Sequence, residues 1–181
     1  MYKSLLIAAL LSTAALSPAA ALAQASSSYP SSAEQIQPAT VSDPQEFATK
    51  AAGAGAFEIQ SSQLALTKSQ NVDIKSFAQM MIDDHSKAAE GLKTAAAAQG
   101  GITVPADIDA DSAAKLQRLQ AAAAGDFDKL YVQMQTDAHV DAVALFSGFA
   151  QNGPAGPLKD FAGQTLPTLQ MHYQHVLTLP R

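Results

Sequence analysis

Val72-Asp-Ile-Lys-Ser-Phe77-Ala-Gln-Met-Met81-Ile-Asp-Asp84-His85-Ser-Lys-Ala-Ala-Glu-Gly-Leu92-Lys-Thr-Ala-Ala-Ala-Ala-Gln99, closed by Gly100-Gly101, is the stretch on which the fold turns. Ile74, Phe77, Ala78, Met81, Ala88, Leu92 and Ala96 recur at steps of three and four, the repeat of one helical face, and His85 falls on that face. The glycine pair marks the end of the helix. The reading is a helix from about Val72 to Gln99 with an imidazole near its middle, on the side that packs inward.

Three further stretches repeat the pattern. Ser42-Asp43-Pro44 supplies a cap and a first-turn proline, and Phe47, Ala51, Ala54, Glu58, Ser61 and Ala65 follow on one face, up to a short turn near Gln70-Asn71. From Asp126 to about Gln151, Tyr131, Val132, Gln135, His139, Ala142, Phe146 and Ala150 share a side, and Asn152-Gly153-Pro154 ends the run. Pro157 to about Leu179 carries Leu158, Phe161, Thr165, Leu169, His172 and Val176. Pro167 interrupts this last segment, so that either one helix kinks there or a short helix ends near Thr165 and another begins. Between the second and third long helices lies a loop followed by a lesser helix, Ser112 to Ala124, broken at Gly125-Asp126. No stretch alternates as a strand would. The expected architecture is all-α: a four-helix bundle with a short extra helix in its long crossover, a connection found in ferritin-like bundles among others.

Glu58, His85, His139 and His172 each stand near the middle of a different helix, on its apolar side. Glu58 lies about 12 residues before the first turn and His85 about 13 after it, so an antiparallel pair brings them to one height. His139 is central in its own helix, and His172 is within about a turn of mid-level. A carboxylate and imidazoles entering an apolar core need partners, because desolvation costs several kcal/mol for each uncompensated charge. A divalent transition metal, whether iron, zinc, copper or manganese, would satisfy all four at once; a buried hydrogen-bond network with Gln135 and Tyr131, or a partly exposed groove, are the other readings. Asp84, beside His85, reads as a solvated or capping side chain, with a further metal ligand or an acceptor for an imidazole N–H as the alternatives. Gln135 reads as a supporting residue, His175 as an ordinary surface histidine, and Met81, Met134 and Met171 as core filling or as soft copper ligands.

Composition narrows the function. The chain has 181 residues, no cysteine, and 11 basic against 16 acidic side chains, for a net charge of −5. Disulfides, thiolate ligands and a cysteine nucleophile are excluded, and the acidic balance argues against a nucleic-acid partner. Met1-Tyr2-Lys3, the apolar run Leu5 to Leu16 and Ala21-Leu22-Ala23 read as a signal peptide over residues 1–23. Residues 24–41, rich in Ser, Pro, Ala and Gln, read as a flexible tether, and 42–181 as the bundle domain. The expected location is the periplasm or cell envelope. No permanent membrane span is expected after cleavage, and an envelope protein or cell-wall component is a candidate partner. No glycine-rich phosphate loop and no Ser/His/Asp arrangement is evident, so whether the chain is an enzyme stays open.

The run from Phe77 to His85, the run Gly125-Asp-Phe-Asp-Lys-Leu-Tyr131 leading to Ala138-His139, and Thr165-Leu-Pro-Thr-Leu-Gln-Met-His172 together resemble the exported bacterial domain family of unknown function numbered 4142, over about Pro44 to Leu177. The resemblance implies a ferritin-like four-helix fold and export, and carries the family's recurring positions onto Glu58, Asp84, His85, His139 and His172. It implies no reaction. Di-iron bundles place a glutamate three residues before a histidine, and here those positions are Ile82, Thr136 and Leu169.

Overall fold

The computed structural model describes residues 29–180; the expected signal peptide, 1–23, and residues 24–28 lie outside them. Five α-helices follow in order: α1 Pro44–Lys68, α2 Val72–Gln99, α3 Ala110–Ala121, α4 Ala124–Asn152 and α5 Pro157–Thr178, with no strand among the described residues. The starts follow the chemistry of free amide groups. Asp43 accepts from the Glu46 amide with Pro44 in the first turn, Asn71 accepts from Asp73 and Ile74, and Asp109 accepts from Ser112. Gly100, with φ of 77°, ends α2 in a conformation that favours glycine.

Helices α1 and α2 pack as one hairpin and α4 and α5 as another; α1 also lies against α4, and α2 against α5. Gln45, at the start of α1, exchanges hydrogen bonds with the backbone of Thr103 just beyond α2, so these two helices are antiparallel. Lys68, at the far end of α1, donates to the carbonyls of Gln120 and Ala122 immediately before α4. Helix α3 therefore carries the chain back along the bundle, against α1, and α4 runs in the same direction as α2. This is the expected four-helix bundle with a short crossover helix.

Two details differ from the sequence reading, and a third decides between the courses it left open at Pro167. The crossover helix spans Ala110–Ala121, and the break falls at Ala122-Ala123, where both residues are extended; Gly125 sits inside the first turn of α4, where it interrupts no helical ladder. Helix α5 is continuous through Pro167. Both Pro167 and Gly163, whose carbonyl loses the proline's amide as a partner, are exposed, so water can satisfy that carbonyl. The second difference is the segment before α1. Residues 29–41, read as part of a tether, lie along the bundle: Ala33, Ile36 and Val41 are buried, Ala39 donates its amide to the Ala144 carbonyl, and Tyr173 donates its hydroxyl to the Pro30 carbonyl. A few apolar residues within a polar run are enough to dock it.

Apolar side chains separate into two clusters along the bundle axis. One contains Phe47, Leu92, Phe146, Phe149 and Leu158, with Phe47 and Phe149 stacked at 4.2 Å. The other contains Phe57, Ile74, Phe77, Met81, Phe127 and Val176. A polar layer lies between them, and the singled-out acid and imidazole groups sit in it.

Candidate metal centre

Helices α1, α2, α4 and α5 deliver Glu58, His85, His139 and His172 to this layer, and all four are buried, with 4 % exposure or less. The three imidazoles form a nearly equilateral group, with ring centroids 5.9, 5.5 and 5.6 Å apart. One ligand nitrogen from each ring lies within 4.8 Å of the other two.

Each ring is held by an oxygen on one of its nitrogens. His139 Nδ1 donates to the Gln135 carbonyl at 2.8 Å, which as a pure acceptor fixes the proton on Nδ1 and leaves the lone pair of the neutral ring on Nε2. His172 Nε2 pairs with Asp84 Oδ2 at 3.0 Å, leaving Nδ1 as the free nitrogen. His85 Nδ1 faces Glu58 Oε2 at 3.1 Å, and the other carboxylate oxygen lies 3.5 Å from His139 Nδ1. The remaining nitrogens, His85 Nε2, His139 Nε2 and His172 Nδ1, are buried without a protein hydrogen-bond partner, as is Glu58 Oε1. Buried polar groups are rarely left this way, and here they are gathered in one layer.

Electrostatics keep the imidazoles neutral, the form that binds metal. Burial holds His139 down at about 3, and burial followed by repulsion from His139 and His172 holds His85 well below the usual range. His172 is also lowered by burial, against the opposing effect of its hydrogen bond to Asp84. Burial pushes the Glu58 carboxyl up to about 8. A buried three-histidine cluster with Glu58 against it is thus a candidate divalent-metal site. Three nitrogens bound to one ion at about 2.1 Å would stand roughly 3.4 Å apart, so the rings need to close in by on the order of 1 Å, within the reach of side-chain rotation. A cleft of about 300 Å³ between α2 and α5, edged by Asp84, Lys87, Gln164 and Thr168, leads from solvent to His85 and His172.

The structure brings all five candidate residues together, with the carboxylates of Glu58 and Asp84 against imidazole nitrogens. Gln135 contributes in a way the sequence did not disclose: its main-chain oxygen orients His139, while its side-chain amide donates to Ser61 Oγ. Ser62 and Tyr131 pair at 2.9 Å in the adjoining turn. His175 lies outside the cluster, its ring edge-on to Phe77 at 5.2 Å. Met81 and Met134 belong to an apolar cluster, which accords with core filling, whereas Met171 is exposed and fills no core.

Among the described residues no helix is long and apolar enough to cross a membrane. No curated protein and no solved structure matches the chain. A family model does, over residues 29–179, a span that takes in the docked N-terminal segment together with the whole bundle and its histidine layer, and by that match the chain belongs to the family described as Domain of unknown function (DUF4142).

Proposed function

We propose that the protein is an exported, ferritin-like helical bundle that binds one divalent transition metal through His85, His139 and His172, with Glu58 and Asp84 orienting the rings rather than bonding the ion. The observation that carries this reading is the division of labour on each imidazole. One nitrogen meets an oxygen and the other is buried and unpartnered, the pattern by which outer carboxylates and carbonyls orient metal-binding histidines. A closed polar network, the rival reading, would pair those nitrogens with one another or with neighbouring side chains.

Imidazole donors suit zinc, copper and iron, whereas manganese prefers oxygen donors, which are here engaged by the histidines. When bound, the ion would supply charge and Lewis acidity in a buried pocket; the chain's own contribution is to hold three neutral imidazoles with a buried carboxyl group beside them. The missing Glu-x-x-His pairs set the proposal apart from carboxylate-bridged di-iron chemistry. Export rests on the N-terminal leader pattern, and an envelope setting follows from it.

Elemental analysis of protein purified without chelator, then reconstituted with each metal in turn, tests the proposal. One equivalent is expected for the wild type and less than a tenth of that for His139→Ala. A wild type that takes up no stoichiometric metal, with a melting temperature indifferent to chelator, would return the centre to a purely structural network.

A further inference from the structure

A second cavity, of about 260 Å³, lies between α1, α2 and the loop at Val104, on another side of the metal layer. Its walls are notable for what is missing. Helix α1 lines it with Ala51, Ala52, Ala54, Gly55 and Ala56, and α2 faces it with Ala88 and Ala89, so no large side chain from these stretches fills the gap. A glycine within a helix costs on the order of 1 kcal/mol relative to alanine, and a void in a core forfeits packing as well. The sequence therefore gives up stability twice at one place. Phe146 and Phe161, whose rings lie 5.9 Å apart, line the same space as Leu92 and Leu169. At its buried end stand Glu58 and His85, each with an atom lacking a protein hydrogen-bond partner.

We infer that this cavity binds a small neutral molecule with one six-membered ring and a hydroxyl group, the ring against Phe146 and Phe161 and the hydroxyl donating to Glu58. The size fits: a cavity of roughly 150 Å³ lined by apolar side chains takes up benzene, so about 260 Å³ holds one ring with its substituent. The chemistry fits as well. At depth the walls offer only Glu58 and His85 as polar side chains, and Lys93, on the rim, is already paired with Glu90 at 2.9 Å. Binding of this molecule does not depend on the metal.

Phenol and toluene, nearly equal in shape, are the probes, titrated calorimetrically into chelator-treated protein so that the outcome is separate from that of metal uptake. Wild type is expected to bind one equivalent of each. The double variant Ala54→Leu, Ala89→Leu, which fills the cavity from both walls with partly exposed positions, is expected to melt no lower than wild type and to lose at least tenfold in affinity for both. Glu58→Leu is expected to lose about tenfold for phenol while toluene binding holds or improves. Absence of binding to wild type, or binding that the filled variant retains, overturns the cavity as a ligand site. An equal loss of both probes in Glu58→Leu overturns the hydroxyl contact.

Discussion

Glu58 sets the proton balance of the centre. In the metal-free protein burial keeps its proton on up to about pH 8, so that the carboxyl donates to His85 Nδ1 and the ring's own proton resides on Nε2. Were His85 to hold an ion through Nε2, that nitrogen would have to give up its proton, and His85 would then donate from Nδ1 to the Glu58 carboxylate. Metal binding at pH 7 is expected to release about one proton, and affinity to rise about tenfold per pH unit until the slope flattens above pH 8. Calorimetry in buffers of different ionisation enthalpy measures it directly; no proton release at pH 7 would contradict this account of Glu58. Glu58→Gln keeps the volume but not the carboxylate, and is expected to weaken metal binding ten- to a hundredfold without unfolding the bundle. Competition with a chromogenic chelator gives the ratio. These residues could be picked out from their spacing, but which atoms would face an ion could not. That depends on which nitrogen of each ring meets an oxygen, and the Gln135 carbonyl and the Asp84 carboxylate decide it only once the helices are packed.

At the level of elements, the faces and most of the ends of the long helices followed from period, caps and glycine signals. Pro167 is the instructive exception, since its exposed position lets α5 run on where a buried proline would have broken it. The segment from residue 29 to 41 is the other. Its docking depends on Gly148 of α4, where an added Cβ would fall 2.0 Å from the Ala39 carbonyl oxygen, too close for the backbones to keep their present separation. Gly148→Ala is therefore expected to lift the segment and cost about 1 to 3 kcal/mol, as overpacked contacts do. The measurements are the melting temperature and the rate of proteolysis near Ile36; unchanged protection there would show that the close approach is dispensable.

Across the whole molecule, the central layer makes stability depend on pH in two opposing ways. The imidazoles have lowered values in the fold: below their unfolded value of 6.5 the unfolded chain takes up more protons, and stability present above that pH is lost as pH falls, through about 3 for His139. Glu58 has a raised value: its contribution is complete below 4.5 and is lost as pH rises through about 8. Three groups act on the acid side and one on the alkaline side. The metal-free protein is expected to melt highest near pH 6 to 7, with a steep acid limb and a shallow alkaline one, and saturating metal is expected to raise the alkaline limb. Scanning calorimetry from pH 4 to 9 checks the shape; a maximum at the acid end would contradict it.

By itself the sequence determined that the chain forms helices, which faces they bury, and that one carboxylate and three imidazoles share a level, because helical period and chain length translate directly into rotation and height. Tertiary structure alone decided the rest. It placed the docked segment, ran α5 through its proline, set one nitrogen of each histidine against an oxygen and left the other buried without a partner, and left a cavity beside Glu58. Each of these depends on atoms from elements far apart in the chain meeting within a few ångströms, and no local pattern encodes such a meeting.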